Sequence, residues 1–238
     1  MLAADLDQNG YHLIPGFLTE TECASLLSAI GAYRQNHDIP IVKRPSGDRP
    51  LVYSVIDGER IERELPQIAA LGPRIGDLVN SLDRRKLALL NDKKVAINVN
   101  ITAQGGGYRW HYDRNALTAI LYLNSVEGGE TECYPKYRIR LPVENSSAWQ
   151  RTVDSLIRLR PFRAVFGRRL LVKAEAGKLL LMQGNTCLHS VLPVAGDNDR
   201  VNIIVSFDVP GKIFSIADGL NRYLYDGDTR ASGDPNYS

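Results

Sequence analysis

The residues of this chain best suited to chemistry are two histidines and one aspartate. His111 and Asp113 are separated only by Tyr112, and positions i and i+2 of a β-strand point to the same face. An imidazole and a carboxylate at this spacing can converge on one ion. His189 lies at the start of a later apolar run. Two histidines with one carboxylate form the set that holds non-haem Fe(II) on one side and leaves its other coordination positions open.

An arginine follows the third of these residues closely. Arg200 begins an alternating apolar run that is long enough to return antiparallel beside the run of His189. A guanidinium offers a fixed fork of hydrogen-bond donors that suits a carboxylate. Arg200 and Ser206 occupy the same face of a regular strand, so we expect both to point into a pocket if either does.

Two kinds of hydrophobic periodicity divide the chain. A capping-box pattern at Thr19–Glu22 precedes an apolar stripe at helical spacing, and a second such stripe spans Ile68–Leu82, with a predicted break at Gly72-Pro73. From Val95 the period becomes two, and several short strand-like runs follow between glycine turns. This pattern predicts a mostly β sandwich or barrel with N-terminal helices that brace one face.

A basic segment interrupts the β region. Residues 136–173 contain ten basic and two acidic residues, whereas the whole chain carries a net charge of only +2. Within this insert, Ser147–Leu159 is predicted to form an amphipathic helix with Trp149, Val153, Leu156 and Ile157 on one side. Two interpretations stay open: a solvated lid edge, or a cationic rim that recognises a phosphate, a carboxylate or an acidic carrier protein.

Composition sets further expectations. The 238 residues are 44% hydrophobic and 24% charged, which is typical of one folded domain. The nearly balanced charge gives no reason to expect nucleic acid or a membrane as a partner. Three cysteines without CxxC spacing fit a reducing compartment, and we predict a cytoplasmic protein. The sequence gives no indication of its oligomeric state.

Several blocks in combination resemble a known family. The run from His111 to Asn124, the block Gly128–Thr131, and then His189 and Arg200 are similar to the Fe(II)/2-oxoglutarate-dependent dioxygenases, closest to their prolyl-4-hydroxylase-like branch. The resemblance covers residues 95–209 without the basic insert. It implies a double-stranded β-helix, a cupin-like jelly roll braced by α-helices. It also implies Fe(II) as the metal, 2-oxoglutarate as a co-substrate, and O₂.

The resemblance assigns roles to individual residues. It implies that Arg200 anchors the distal carboxylate of 2-oxoglutarate, that Tyr122 hydrogen-bonds the same carboxylate, and that Tyr108 lines the pocket. Because halogenating members of the family carry Gly or Ala in place of Asp113, the intact carboxylate favours hydroxylation or a related desaturation or ring closure. The residues implied to be both catalytic and metal-binding are His111, Asp113 and His189.

Candidate substrate contacts come from strand alternation. Arg109 should share the inward face with His111 and could grip an anionic group. Asn98 and Asn100 alternate with apolar residues and point either into the barrel or to solvent. Ser206 is added because it shares the face of Arg200. The expected partner is therefore a small molecule, and Arg109 makes an anionic one a candidate.

These observations predict one catalytic domain over residues 1–238. Residues 1–94 form a mainly helical support, 95–209 the jelly-roll core with the insert 136–173, and 210–238 a C-terminal extension. The predicted reaction oxidises an unactivated C–H bond of an amino acid or a biosynthetic intermediate and gives succinate and CO₂. Alternatives are a prolyl-type hydroxylase of a protein or peptide and a non-catalytic jelly-roll binding module. A zinc hydrolase would leave Arg200 and Tyr122 unexplained.

Overall fold

The protein is built on two antiparallel β-sheets. The computed structural model describes residues 2–44, 49–142 and 148–211, so the predicted C-terminal extension lies almost wholly outside the described residues. The strands are β1 Tyr11–Ile14, β2 Val42–Arg44, β3 Leu51–Ile56, β4 Ala88–Leu89, β5 Ile97–Thr102, β6 Tyr108–His111, β7 Leu117–Tyr122, β8 Thr131–Tyr134, β9 Leu170–Val172, β10 Leu179–Met182, β11 Leu188–Val191 and β12 Arg200–Asp208.

The helices come mostly from the N-terminal third and from the basic insert. None of those in the described ranges has the length and apolar character needed to cross a bilayer. The helices are α1 Leu2–Asn9, α2 Glu20–Asn36, α3 Gly58–Glu64, α4 Pro66–Ala69, α5 Leu71–Leu82, α6 Lys93–Ala96, α7 Ala148–Ile157 and α8 Arg160–Phe166.

Strand order defines a larger and a smaller sheet. The larger sheet has the order β1-β10-β7-β12-β5-β3-β2, with β4 added on β12, and the smaller has the order β6-β11-β8-β9. Neighbouring strands in both sheets run antiparallel. The mostly β jelly roll with helices, predicted from the sequence, is confirmed.

The main hydrophobic core lies between the larger sheet and the N-terminal helices. Val99 of β5, Leu121 of β7 and Ile203 of β12 are fully buried there, together with Ile30 of α2 and Ile75 of α5. Since alternate residues of a strand face opposite sides, the polar positions of β5 and β12 must turn away from the helices. They face a cavity that is also lined from the smaller sheet.

Two helical details test the sequence patterns. The capping box before α2 is present. The Thr19 hydroxyl accepts from the Glu22 backbone N–H, and the Thr19 backbone N–H donates to the Glu22 carboxylate. The helical stripe Ile68–Leu82 restarts directly before Gly72-Pro73 and not at these residues, because α4 ends at Ala69 and α5 begins at Leu71. Pro73 is the third residue of α5, and the first N–H groups of a helix have no acceptor within it, so proline removes no bond there.

The insert helix α7 buries only part of the side predicted. Ile157 is buried in a hydrophobic cluster, whereas Trp149 is 74% exposed and Leu156 is 49% exposed. Asp154 is also buried, and its carboxylate pairs with Arg138 at 2.6 Å. Polar contacts with the segment before the helix therefore act together with the burial of Ile157 to position α7.

Gly58, the first residue of α3, provides a test of the helical support. A Cβ at this position would lie 2.0 Å from the Lys93 carbonyl oxygen and 2.7 Å from that of Ile97. We expect Gly58→Ala to lower the free energy of unfolding by about 1–3 kcal/mol, because neither backbone can yield easily. Denaturant titration measures this change.

Gly31 of α2 is the matched control, since nothing lies within 4 Å of its added Cβ. Gly31→Ala should raise the free energy of unfolding by about 0.5–1 kcal/mol, because alanine has the better helix propensity. Equal stability of Gly58→Ala and the wild type would contradict the packing described for α3 and α6.

Candidate active site

His111 and His189 lie side by side on neighbouring strands of the smaller sheet. They are paired across β6 and β11, and their ring centroids are 4.0 Å apart. Asp113 follows β6, and its backbone N–H donates to the Gly184 carbonyl at 3.0 Å. Its Oδ1 lies 3.5 Å from Nε2 of each histidine. The structure thus brings the three predicted metal ligands together, with their ligand atoms within 4.8 Å of one another.

The orientation of both imidazoles suits a metal ion. Nδ1 of His111 contacts the Arg109 carbonyl at 2.8 Å, and Nδ1 of His189 contacts the Cys187 carbonyl at 3.0 Å. A carbonyl can only accept, so Nδ1 carries the proton and Nε2 presents its lone pair toward Asp113. Ligands held about 2.0–2.2 Å from one metal are roughly 3 Å from each other, so this donor set fits a metal ion with a small contraction.

The protonation states of the site favour metal binding. Burial, and then the charge of His111, lower the pKa of His189 to about 4, so its imidazole is neutral at pH 7. Burial by itself would raise the pKa of Asp113, but the charges of His189 and His111, with hydrogen bonds to the carboxylate, hold that pKa well below its usual range. A neutral imidazole and an ionised carboxylate are the forms that ligate metals.

A polar network fixes the second carboxylate oxygen of Asp113. The hydroxyl of Thr118 donates to Oδ2 at 2.5 Å, and Nδ2 of Asn115 donates to the Thr118 hydroxyl at 3.0 Å. Gly184 closes the other side, since a Cβ there would lie 2.5 Å from Oδ2. With Oδ2 held by Thr118, Oδ1 is directed at the two histidines.

Arg200 is a buried cation facing the same cavity. Its side chain donates to the Asn202 amide oxygen, and Nη2 donates to the Thr131 hydroxyl at 3.0 Å. Nε is buried without a hydrogen-bond partner, and no carboxylate within the described residues pairs with the guanidinium. Burial lowers the pKa of Arg200, which reflects the cost of leaving this charge without a counter-ion. A carboxylate ligand would supply that counter-ion.

Tyr122 lies behind Arg200 instead of lining the cavity. It is fully buried, its hydroxyl is 2.7 Å from that of Thr131, and its ring centroid lies 5.2 Å from the Arg200 guanidinium carbon. Burial raises the pKa of Tyr122 to about 12, so it stays neutral. A direct bond from Tyr122 to a carboxylate stays a prediction, whereas Thr131 itself lines the cavity.

The cavity receives three of the four predicted substrate contacts. Asn98 and Asn100 of β5 and Ser206 of β12 all line it, on the polar face opposite the helical core. The cavity is open on one side and is lined by residues of both sheets.

A β-bulge changes which residues of β6 point inward. His111 pairs with His189 and Tyr108 pairs with Val191, so three residue steps on β6 match two on β11. The extra residue on β6 reverses which side chains point into the cavity on the N-terminal side of the bulge. Tyr108 therefore lines the cavity as predicted, with its ring 4.8 Å from that of His111, whereas Arg109 does not line it.

Sequence reasoning missed three residues that line this cavity: Thr118, Thr131 and Arg114. Each had a weak signal. Thr118 is the single threonine in the apolar run of β7, Thr131 ends the glycine block that carries the family resemblance, and Arg114 directly follows Asp113. A polar residue in a strand buried on both faces is informative because burial requires a hydrogen-bond partner.

Comparison with protein families identifies the class. The model described as the 2OG-Fe(II) oxygenase superfamily matches residues 97–207, which run from β5 to β12 and contain the triad and Arg200. Residues 97–207 therefore form a 2OG-Fe(II) oxygenase domain, a class that uses Fe(II), 2-oxoglutarate and O₂. Comparison with curated protein sequences gives no match.

Solved structures share the fold over most of the chain. The epimerase SnoN from nogalamycin biosynthesis is 22% identical, with a TM-score of 0.65 over 87% of this chain and 81% of that chain. A prolyl hydroxylase from Trichoplax adhaerens, in complex with a peptide fragment, is 18% identical, with a TM-score of 0.63 over 88% of each chain. HygX from Streptomyces hygroscopicus, with nickel and 2-oxoglutarate bound, is 14% identical, with a TM-score of 0.62 over 89% and 87%.

The hydrogen bond from Thr118 to Asp113 generates a prediction about metal affinity. Thr118→Val keeps the side-chain shape but removes the donor that holds Oδ2. We expect affinity for Fe(II) or Co(II) to fall about 10- to 100-fold, as is typical when a group that orients a metal ligand is lost. Competition with a chelator under anaerobic conditions measures the dissociation constant.

Thr152→Val is the control, because Thr152 is exposed on α7 and donates only to the helix carbonyl of Ala148. Its metal affinity should match that of the wild type. A Thr118→Val protein that binds metal as tightly as wild type would show that Thr118 does not position Asp113.

Proposed function

We propose that this protein oxidises a C–H bond of a small molecule, with His111, Asp113 and His189 as the iron ligands and Arg200 as the anchor of 2-oxoglutarate. The observation that carries the proposal is the pairing of two features in one cavity: three converging metal donors, and a buried guanidinium that lacks a counter-ion within the described chain. A dicarboxylate can satisfy both, with one end at the metal and the other at Arg200.

The protein's own groups hold and orient the reactants. Both Nε2 atoms and Oδ1 of Asp113 face one point, which leaves the opposite side accessible from the cavity. Arg200 and Thr131 place two donors where a distal carboxylate would lie. Bound Fe(II), 2-oxoglutarate and O₂ supply the oxidising chemistry, in which 2-oxoglutarate becomes succinate and CO₂ as the substrate carbon is oxidised.

Apolar side chains limit water near the reacting centre. Ile120 of β7, Met182 of β10 and Val191 of β11 line the cavity between the polar groups. Ile120 and Met182 are buried, so the walls on this side are closed by the sheet itself. A dry wall protects a reactive oxidant from side reactions and strengthens the electrostatic contacts within the site.

A small-molecule substrate is supported by the cavity and by the similar structures. Residues from both sheets surround the space, and a concave, largely apolar cavity with a few polar groups is typical of a small-molecule site. SnoN acts in nogalamycin biosynthesis, and HygX has been solved with hygromycin B bound. We therefore favour a biosynthetic intermediate over a protein side chain.

Substitutions at the triad and at Arg200 separate the two halves of the proposal. His111→Ala or Asp113→Ala should abolish succinate formation, since each removes one of three ligands. Arg200→Ala should raise the 2-oxoglutarate concentration required by about tenfold or more, because a charge-assisted bond to the distal carboxylate is lost. Arg200→Lys should give an intermediate requirement, since it keeps the charge without the fork.

The measurement is succinate formation against 2-oxoglutarate concentration, with anaerobic titration of Fe(II) and then 2-oxoglutarate followed by visible absorption. Arg34→Ala is the control, because Arg34 makes a surface ion pair with Asp199. Wild-type turnover in His111→Ala would remove the metal assignment. An unchanged 2-oxoglutarate requirement in both Arg200 variants would move the anchor to another residue.

A further inference from the structure

The polar face of β5 forms a part of the cavity that neither the metal site nor Arg200 uses fully. Asn98, Asn100 and Thr102 line the space in consecutive inward positions. The Thr102 hydroxyl donates to the Asn100 amide oxygen at 3.0 Å, which directs the Asn100 NH₂ group elsewhere. Asn98 and Asn100 are both half-buried, so their amides are accessible from the cavity.

Strand register separates these amides from the aspartate of the triad. Asn98 pairs with Ile204 and Asn100 pairs with Asn202 on β12. Thr118, which holds Asp113, lies on β7 on the far side of β12. Adjacent strands are about 4.8 Å apart, so roughly 10 Å separates the two rows. That distance leaves room for a substrate beside the co-substrate.

The hydrogen-bonding capacity of the two amides is largely unused. No residue of the described chain hydrogen-bonds the Asn98 side chain, and none accepts from the NH₂ group of Asn100. Since polar groups at a half-buried site need partners when a ligand displaces water, a ligand here must offer both acceptors and donors. The planar amide of Asn98 presents an acceptor, its oxygen, and a donor, its NH₂ group, side by side.

Apolar side chains line the cavity together with the amides, while Asn202, which accepts from Arg200, is paired with Asn100. The apolar residues include Val55 of β3, with Leu90 and Val95 before β5. Tyr53 and Tyr108 add two aromatic rings with centroids 5.7 Å apart. Aromatic and aliphatic side chains pack against the C–H faces of a saturated ring, while the amides would hydrogen-bond its polar substituents.

The charged residues of the cavity lining are otherwise engaged or lie elsewhere. Among the described residues, Asp113 is the only carboxylate that lines it, and it faces the histidines. Arg200 is bound to Asn202 and Thr131. Arg114 is the remaining cation, next to Asp113 in the chain. An ammonium group beside Asn98 would therefore have no counter-ion, and an anionic group would be drawn toward Arg114.

We propose that Asn98 and Asn100 form a substrate subsite for adjacent hydroxyl groups on an uncharged, saturated ring, the chemistry of a sugar or a cyclitol. A hydroxyl both donates and accepts, so two neighbouring hydroxyls can bind Asn98 through its oxygen and its NH₂ group together. The Asn100 NH₂ group donates to a further hydroxyl. This assignment rests on the proposed function, because it names the substrate that the oxygenase site would oxidise.

Binding of defined probes to the Zn(II)-substituted protein with 2-oxoglutarate tests the subsite without turnover. The probes are methyl α-D-glucopyranoside, myo-inositol, glucose 6-phosphate and an N-acetyl-proline methylamide, observed by saturation-transfer NMR and titration. We expect the neutral glycoside or the cyclitol to bind, and Asn98→Leu to weaken that binding about tenfold, since two hydrogen bonds are lost. Asn100→Leu should weaken it less.

Asn36→Leu is the matched control, because Asn36 is exposed on α2 and donates to its own helix. Asn98→Asp serves if Asn98→Leu does not fold, since it retains the volume and removes the donor. Absence of binding by both polyols, or undiminished binding by the Asn98 and Asn100 variants, would overturn the subsite. Tighter binding of the phosphate or of the proline amide would also overturn it, in favour of an anionic or a peptide substrate.

The two proposals fail in different ways. Binding of 2-oxoglutarate is measured first on each metal-loaded protein. If the wild type binds no 2-oxoglutarate, the proposed oxygenase site fails. If 2-oxoglutarate binds and neither polyol does, only the hydroxyl subsite fails.

Discussion

The site depends on the register between β6 and β11. That pairing sets His111 opposite His189 with their ring centroids 4.0 Å apart, and the bulge in the same pairing turns Tyr108 into the cavity. A hydrogen bond from the backbone N–H of Asp113 to the Gly184 carbonyl then helps to place the carboxylate beside both imidazoles. A slip of one residue would send both the histidine and the following carboxylate to the other face of the sheet, because side chains alternate with a period of two.

The second constraint is the distribution of charge in the cavity. Asp113 is stabilised as a carboxylate by the histidines and Thr118, whereas Arg200 has neutral hydrogen-bond partners and no described counter-ion. A buried cation of this kind is costly in the free protein. In the function proposed above, binding of a dicarboxylate would recover that cost, and the protein would give up some stability to prepare a site for its co-substrate. Tyr122 supports the cation through its ring while remaining outside the cavity.

The basic insert uses several of its charges within the protein. Arg138 pairs with Asp154, Arg169 pairs with Glu132, and the guanidinium of Arg163 lies 3.9 Å from the centroid of Trp110. The first contact lies within the insert, and the other two attach the insert to β8 and to β6, the strand that carries His111. Part of the positive charge of the insert is therefore used in contacts within the protein. The remaining basic residues are compatible with both a solvated lid edge and a cationic rim.

The sequence by itself determined the type of chemistry and the class of fold. The spacing of His111 and Asp113, the later His189 and Arg200, and the change of period at Val95 are local features, and a period of two already predicts which side chains share a face. It could not determine which of the two faces points inward at Arg109, because a bulge is a property of two paired strands. Nor could it predict that α7 buries Asp154 while exposing Trp149, because the partner of that carboxylate, Arg138, precedes the helix. Tertiary structure decided these points, as it decided the placement of Thr118 and Thr131, since each depends on a contact between residues distant in the chain or on different elements.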